Sequence, residues 1–429
     1  METTFPRQAP PFQFRLAGPA ILCLLAFTGV FARGLANGAY AFLLAWAIAN
    51  LVMRRRAGLP GLSQIPVHYW AGAGAFMAAY ALAAAFSGEP LLSLRRLGLL
   101  VYLLSALPAV WLAAAELPQL LESHLPLCYG AGLMAAGVWA CLEIGLYGGE
   151  YGRAKAALGV IELAAVLGQL IPLMVAALAL SRASARKTVF YLAAIALGLV
   201  AVALNNSRIA MICVPVLSLM TLLAFRRQMG FRLTLALVLL AALAAGAAVI
   251  DGRAAERFAA MTDLSGANVP NTERLARWRQ GLSVFAEHPV LGAGPGAVPN
   301  VPAEDLPEVF RILPRTEYYH SHQIFITALA EAGIVGLAGF LALHLLPLLY
   351  VLPALRSERP WTRFWAWGAL TVFLQLGLNG LVDNVFTLKP LMYVYWTATG
   401  MAVFLAGRER RGPSFKGRAS PLRAASPRG

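Results

Sequence analysis

Charged residues are scarce in this chain: Asp, Glu, Lys and Arg make up only 13% of its 429 residues. Hydrophobic residues make up 59%, more than a soluble globular domain needs to fill its core. This balance excludes a soluble fold for most of the chain and predicts a polytopic membrane protein. No soluble domain remains to be assigned outside the apolar runs.

Cysteines are also few. The four cysteines all fall in apolar stretches and form no Cys-x-x-Cys pattern; they are Cys23, Cys128, Cys141 and Cys213. A disulfide framework or a cysteine-bound metal is therefore not expected. We interpret these side chains as small packing residues, and we expect neither a metal nor a cofactor.

Long apolar runs dominate what is present. A membrane-spanning helix needs about 20 apolar residues, and twelve runs qualify or nearly do: residues 16–32, 36–53, 66–86, 97–115, 126–147, 157–180, 188–205, 209–225, 233–250, 323–352, 362–381 and 388–406. The predicted fold class is all-α, a polytopic integral membrane protein with about 12 transmembrane helices and one large periplasmic loop that contains helices. The first run resembles a signal peptide, but the many further spans favour an uncleaved first helix.

Acidic residues are outnumbered by basic ones, 20 against 35, which gives a formal net charge of +15. Lysine and arginine are retained on the cytoplasmic side of a membrane. The basic clusters at Arg54 to Arg56 and after Arg408 therefore predict cytoplasmic N- and C-termini. We expect the basic tail to contact anionic lipid headgroups rather than nucleic acid.

The chain divides at its longest polar stretch. We predict transmembrane helices 1–9 in residues 1–250, a large periplasmic loop in residues 251–322, transmembrane helices 10–12 in residues 323–407 and a basic cytoplasmic tail in residues 408–429. The loop carries an amphipathic helix, a glycine-rich turn and two histidines. Nearly all of the chemistry available to the protein is therefore expected there, as an enzyme at the membrane surface would need.

Basic residues on the outer side need an explanation that the positive-inside rule does not supply. Guanidinium groups bind phosphate through paired hydrogen bonds, so a group of them suits a lipid-linked phosphate or pyrophosphate. Anchoring to lipid headgroups is the alternative. The residues concerned are Arg95, Arg96, Arg153, Lys155, Arg208, Arg274, Arg277, Arg311 and Arg315.

The sharpest case is Arg208, which follows Asn206 and Ser207 between two apolar runs with hardly any loop. A polar cluster at that depth is costly unless it faces water or binds a charged partner. We therefore predict that these three residues belong to a substrate site, and a tight helical hairpin is the structural alternative. Arg153 is a further candidate for the same site.

Within the loop, residues 271–285 are typical of a helix capped by Thr272, with one apolar face. That face should lie in the membrane interface or against the other helices. Arg274 and Arg277, three positions apart, then project together from its flank. An amphipathic helix without a site would show the same apolar face, which consists of Leu275, Trp278, Leu282 and Phe285.

A glycine-rich turn at residues 288–296 ends this helix and allows close approach of the backbone to another group. It lacks the preceding strand and the Lys-Ser/Thr ending of a nucleotide-binding loop. The turn alone is therefore weak evidence for phosphate binding.

Histidines introduce the tenth run, where Tyr319, His320 and His322 stand close together. A histidine can act as a base near neutral pH. On a helix the two would point away from each other, so a metal-binding pair is not expected, and a hydrogen-bonded bystander is the alternative role for either. Asp383, near the outer end of the eleventh run, could orient the histidine, bind a sugar or cap the hairpin.

Two stretches resemble the O-antigen ligase and polymerase superfamily of bacterial envelope glycosyltransferases. The first is Arg274 with Trp278 and the turn from His288 to Gly294, and the second is His322 to Phe325 with Glu331 to Gly336. The family has an asparagine after the histidine where this chain has Gln323. The apolar runs and the large penultimate loop are similar to the family over most of the chain.

Within that superfamily, the resemblance implies a lipopolysaccharide O-antigen ligase with a GT-C-like fold. Such an enzyme moves O-antigen polysaccharide from undecaprenyl pyrophosphate onto lipid A-core at the outer face of the bacterial inner membrane. By carry-over, His322 would be the base, and Arg208 and Arg274 would hold the pyrophosphate in a metal-independent, inverting transfer. The residues expected to complete the substrate site are Arg277, Asn206, Ser207, His320, Tyr319, Asp383 and Arg153.

Three other functions stay open. A polymerase of the same superfamily would use the same donor and a different acceptor. An O-linked protein oligosaccharyltransferase usually carries an additional C-terminal soluble portion, which the short basic tail does not offer. A transporter or flippase would need ionisable groups within its spans and often shows paired halves; Glu143, Glu162 and Glu331 are the few acidic candidates, and the sequence has no internal repeat.

Overall fold

The computed structural model describes residues 11–150, 152–181, 183–230, 234, 269–299 and 321–412. The helices within these residues, numbered in chain order, are α1 (Phe12–Thr28), α2 (Arg33–Arg56), α3 (Val67–Ala85), α4 (Pro90–Leu104), α5 (Ala106–Glu116), α6 (Pro118–Tyr147), α7 (Val160–Leu180), α8 (Ala185–Asn205), α9 (Arg208–Met229), α10 (Val269–Glu287), α11 (Ile324–Val351), α12 (Pro360–Gly380) and α13 (Lys389–Arg410). By length and composition, seven helical segments of this described part qualify as membrane spans. The described residues therefore form an all-helical fold, and the chain is an integral membrane protein.

The apolar runs locate the helices well. Every predicted run except the ninth overlaps a helix, and the ninth, residues 233–250, lies outside the described residues apart from Thr234. The tail after Gly412 lies outside them too. The total of twelve spans and the GT-C-like architecture stay predictions.

The fourth run lies in one candidate span, Pro90–Glu116, as predicted, but this span is divided into α4 and α5 by a break at Ser105. Pro108 has no N–H group and cannot donate to the carbonyl of Leu104. The hydroxyl of Tyr69 donates to that carbonyl instead, at 2.6 Å. The freed carbonyl of Tyr102 accepts from the Ser105 hydroxyl at 2.6 Å. Side chains thus stabilise the break within the bundle.

Two helices, α7 and α13, form the centre of the bundle and are buried along almost their whole length. Beside them, α3 packs extensively on α11. Small residues allow this close approach: a Cβ added at Gly72 would lie 2.7 Å from the carbonyl oxygen of Ala342, and one at Gly339 would lie 3.0 Å from Cα of Phe76. Since early α3 faces late α11, the two helices are antiparallel.

One end of the bundle is closed by a buried ion-pair network. The carboxylate of Glu116, at the end of α5, accepts from Arg15 at 2.6 Å and from Arg54 at 2.5 Å. Asn50 donates to the same carboxylate at 3.1 Å. The network joins the start of α1 to the ends of α2 and α5. The opposite end of the bundle therefore holds the end of α3 and the start of α11.

Candidate active site

A short turn before α11 places His322 at the end of the bundle that lies opposite the Glu116 network. The Ser321 hydroxyl lies 2.8 Å from the Thr327 hydroxyl, and the Gln323 side chain accepts from the N–H of Ile326 at 2.5 Å, which caps α11. His322 itself has a φ of 53°. Such a left-handed conformation costs a non-glycine residue free energy and is concentrated at functional sites.

His322 precedes α11, which begins at Ile324, so it lies at the end of the loop that was predicted to end at residue 322. His320 and Tyr319 lie outside the described residues. The position where the family has an asparagine is used here for capping, since the longer Gln323 side chain reaches the first turn of the helix.

Carboxylates face both ring nitrogens of His322. Asp383, in the turn after α12, places Oδ1 at 3.3 Å from Nδ1 of the imidazole. Glu273, in α10, places Oε1 at 3.9 Å from Nε2. The same Glu273 oxygen accepts from Nε of Arg277 at 2.7 Å. Three segments that are far apart in the sequence thus meet at one imidazole, and the predicted role of Asp383 in orienting the histidine fits this geometry.

The ionisable groups around His322 shift one another's pKa values towards the charged forms. Burial disfavours the imidazolium, but the carboxylates of Asp383 and Glu273 outweigh this and raise the pKa of His322 above its usual value. Burial also disfavours the Glu273 carboxylate, yet His322 and Arg277 lower its pKa to about 2. The pKa of Asp383 is lowered in the same way, mainly by His322, with a contribution from the charge of Arg274. Arg274 therefore lies close enough to act on the same cluster.

The loop helix α10 is longer at its start than predicted. It begins at Val269, so Thr272 lies inside it, and the predicted Thr272 cap is wrong. Val284 of α10 is only 4% exposed, while Leu282 from the predicted apolar face is 46% exposed. Val284 contacts Ala330 in a small cluster of its own.

The glycine-rich turn is docked into a break in α11. At Gly333 the backbone leaves the helical conformation, with a φ of 62° and a ψ of −161°. The N–H of Ala293 donates to the carbonyl of Ala330 at 2.9 Å, and the N–H of Ile334 donates to the carbonyl of Pro289 at 2.9 Å. The turn thus satisfies the backbone groups that the break frees. The glycines of the turn make the predicted close approach, Gly292 to the backbone of α11 and Gly294 to the side chains of Ser87 and Ser93.

Glu331 also holds the glycine-rich turn at the break in α11. Its carboxylate accepts from the N–H of Gly296 at 3.0 Å, which adds a side-chain contact to the backbone bonds. Because α10 runs directly into this turn, docking the turn on α11 fixes the position of Glu273, Arg274 and Arg277 relative to His322.

We expect Gly333→Ala to destabilise the protein by about 1–3 kcal/mol, because alanine in a left-handed conformation is strained and its Cβ would lie 2.3 Å from the carbonyl of Val290. Thermal unfolding in detergent measures this. Gly145→Ala in α6 is the matched control, since an added Cβ there meets nothing within 4 Å. Equal melting temperatures for the two variants would contradict the docking role of the break.

The predicted cluster around Arg208 forms a tight hairpin between α8 and α9. Asn206 has a φ of 51° and turns the chain, and α9 begins at Arg208. The buried Asn205 side chain donates to the carbonyl of Ala154 at 2.7 Å, and Arg153 Nε donates to the carbonyl of Asn205 at 2.9 Å. Asn206 thus forms the tight hairpin that was the structural alternative. Arg153, in the loop between α6 and α7, joins that loop to the hairpin.

Arg208 nevertheless lies at the same end of the bundle as His322. The helices α9 and α12 pack together, and Arg363 near the start of α12 donates to the carbonyl of Ala224 near the end of α9 at 2.8 Å. The two helices are therefore antiparallel. The start of α9 at Arg208 and the turn with Asp383 after α12 share one end. Ser207 is buried beside Arg208.

A pocket of about 330 Å³, counting its open mouth, lies beside this cluster. It extends from Asn384, the neighbour of Asp383, and from Ile324 at the start of α11 down to Arg96 and Glu331. Arg96 and Glu331 interact electrostatically across it. Its lining is mixed, because apolar side chains such as Leu100 and Phe340 stand beside these polar ones, and the enclosed space is only about 20 Å³, too small for a sugar.

Glu273 was missed in the sequence, although it stands one position before Arg274. Its spacing of four from Arg277 was a usable signal, because such acid–base pairs meet on one face of a helix. The contact of Glu273 with His322 could not be predicted, since the two residues are 49 positions apart in the sequence.

The acidic residues considered for a transporter stabilise loops and helix ends. Glu143 accepts from the N–H groups of Lys155 and Ala156 at 3.1 and 2.9 Å. Glu162 pairs with Arg33 at 2.5 Å, and Glu331 holds the docked turn. Each carboxylate thus has a structural partner, which argues against a chain of ionisable groups for transport.

Comparison with known proteins supports an assignment by family for one part of the chain. Residues 192–341 match the family model described as O-Antigen ligase. The matched segment contains Arg208, Glu273, Arg274, Arg277 and His322, whereas the turn with Asp383 follows it. No curated protein matches the chain.

Proposed function

We propose that this chain is an O-antigen ligase of the O-antigen ligase and polymerase superfamily, which the match of residues 192–341 to the O-Antigen ligase family model supports. In this proposal it transfers O-antigen polysaccharide from undecaprenyl pyrophosphate to a sugar hydroxyl of lipid A-core. The observation that carries the proposal is the buried cluster in which Asp383 and Glu273 flank His322 beside the arginines of α10.

We propose that the site faces the periplasm and the termini face the cytoplasm of a bacterial inner membrane. The network of Arg15, Arg54 and Glu116 lies at the end of the bundle opposite His322, together with the start of α1. The basic cluster Arg54 to Arg56 ends α2 at the same place. Because such clusters are retained in the cytoplasm, His322 is assigned to the periplasmic side.

His322 acts as the general base in this mechanism. Asp383 engages Nδ1 and fixes the tautomer, so Nε2 takes the proton of the acceptor hydroxyl. The hydroxyl oxygen forms a bond to the anomeric carbon while the bond from that carbon to the pyrophosphate oxygen breaks. Direct displacement of this kind inverts the anomeric configuration and needs no covalent enzyme intermediate.

Arginines hold the leaving group. As the glycosidic bond to pyrophosphate breaks, negative charge accumulates on the departing oxygen, and fixed guanidinium groups stabilise it. Arg274 and Arg277 lie on α10, which carries Glu273 of the cluster, and Arg208 begins α9 at the same end of the bundle. This positive charge serves where nucleotide-sugar enzymes use a divalent cation.

The pH dependence of transfer is expected to report on His322. Only neutral imidazole is a base, so the rate should rise with pH through a pKa that Asp383 and Glu273 raise. Asp383→Asn removes one of these carboxylates and should move the acid limb of kcat/KM to lower pH. It should also reduce the maximal rate, by less than the about 10²–10⁴-fold expected for loss of the base. An acid limb that stays in place would show that another group is titrating.

Complementation of a ligase-null strain tests the proposed function in cells. The wild-type chain should restore a ladder of O-antigen on lipid A-core, seen by gel electrophoresis. His322→Ala at equal expression should not restore it. If wild type instead lengthens lipid-linked chains and leaves the core unmodified, the protein is a polymerase of the same superfamily.

A further inference from the structure

Two cysteines that are distant in the sequence meet between α1 and α6. The side chains of Cys23 in α1 and Cys128 in α6 are hydrogen-bonded to each other. Both are partly buried, whereas Cys213 is buried and Cys141 is exposed further along α6. The sequence has no Cys-x-x-Cys pattern, so only the fold reveals the pair.

The relative direction of α1 and α6 is set at one end of the bundle. Arg15, near the start of α1, pairs with Glu116, the last residue of α5. The helix α6 begins two positions later, at Pro118. Both helices therefore start at the same end and run parallel. Since they rise equally per residue, equal steps along the two helices keep their residues level with each other.

A close contact one turn beyond the cysteines fixes the register. A Cβ added at Gly132 of α6 would overlap the carbonyl oxygen of Phe27 in α1 and lie 2.7 Å from Cγ2 of Val30. Cys128 and Cys23 each stand four positions before Gly132 and Phe27, on the same helix faces. A disulfide needs Cα atoms about 4.4–6.8 Å apart, and helices that meet at a glycine provide such an approach.

The thiol pair lies in the apolar part of the bundle. Cys23 is eight positions beyond Arg15, which is roughly 12 Å along α1 at about 1.5 Å per residue. Leu24, the next residue, is exposed at the outer surface of the bundle. The seam between α1 and α6 therefore borders the hydrocarbon of a bilayer. Lipid-soluble reagents reach such a position, whereas charged reagents are excluded from it.

We propose that Cys23 and Cys128 form a disulfide when a lipid-soluble two-electron oxidant of the quinone class reaches them in the membrane. Each thiol loses its proton, one S–S bond forms, and the two electrons and two protons convert the quinone to its quinol. A dithiol reverses the reaction by thiol–disulfide exchange. The bond joins α1 covalently to α6 and does not depend on the proposed glycosyl transfer.

Counting thiols in the purified full-length protein in proteoliposomes tests this. After treatment the protein is denatured, labelled with a maleimide of defined mass and analysed on a gel. The reduced chain should carry a label on each of its four cysteines. Copper phenanthroline or a short-chain ubiquinone should remove two of these labels, and dithiothreitol should restore them. Oxidised glutathione, which is charged, should remove none.

Single substitutions identify the bond. Cys23→Ser and Cys128→Ser should each keep all their remaining labels on oxidation. Cys141→Ser is the matched control, because Cys141 is an exposed cysteine of the same helix as Cys128, and it should still lose two. Thermal unfolding of each reduced variant verifies the fold.

Three results would overturn the inference. The first is a full set of labels on wild type after copper phenanthroline, and the second is a loss in Cys23→Ser equal to that in wild type. The third is a bond that copper phenanthroline forms and the quinone does not, since the oxidant would then belong to another class. Crosslinked dimers in place of the loss within one chain would count as the first result.

Discussion

Replacing His322 with alanine is expected to slow glycosyl transfer by about 10²–10⁴-fold, the usual contribution of a positioned general base. The acceptor hydroxyl is a poor nucleophile until its proton leaves, and in the proposed mechanism Nε2 of His322 takes that proton while Asp383 engages Nδ1. The measurement is the rate of O-antigen transfer by purified protein at saturating donor and acceptor. The KM values should change much less than kcat.

His124→Ala is the control for that variant, because His124 is an exposed histidine on α6 that bonds within its own helix. Its rate should match wild type. If His322→Ala retains more than a tenth of the wild-type rate, His322 is not the base, and the cluster around it serves the fold.

Replacing Arg274 with alanine is expected to lower kcat by about 10²–10³-fold, as for loss of one donor that stabilises developing charge. Its charge acts on Asp383 in the cluster, and in the proposed mechanism it stabilises the pyrophosphate as this separates from the sugar. Arg274→Lys should recover only part of the rate, because an ammonium group cannot make the paired hydrogen bonds of a guanidinium. Kinetics with varied donor concentration measure both variants.

Arg95→Ala provides the comparison for this pair, since Arg95 is an exposed arginine at the same side of the bundle. A headgroup-anchoring arginine should affect membrane association and not kcat. If Arg274→Ala and Arg95→Ala have equal kcat values, the arginines of α10 anchor the helix and another group neutralises the pyrophosphate.

Hydropathy predicted the helices because burial in lipid requires long apolar runs, and that requirement is local in sequence. It could not predict the break at Ser105, which depends on Pro108 and on the hydroxyl of Tyr69 from another helix. The break at Gly333 was hidden for the same reason: it lies within a continuous apolar run, and its free backbone groups are satisfied by a distant turn.

The sequence predicted those candidate-site residues that are ionisable and stand beside long apolar runs. His322, Arg208 and Arg274 stood out because ionisable residues at membrane depth or beside helix ends are costly. The sequence indicated Asp383 as a candidate but did not decide its role, since an aspartate in a turn can cap the hairpin as readily as it can orient a histidine. Glu273 went unnoticed because its role depends on α10 folding back onto the start of α11, which only the docking of the glycine-rich turn specifies.

The most direct measurement of the central claim is transfer in proteoliposomes that contain the purified protein, undecaprenyl-pyrophosphate-linked O-antigen and lipid A-core, followed by gel analysis of both lipids. We predict that wild type converts lipid A-core to O-antigen-bearing species, and that His322→Ala and Arg274→Ala do not within the same time. Transfer by His322→Ala at the wild-type rate, or growth of the lipid-linked glycan with unmodified lipid A-core, would contradict the account.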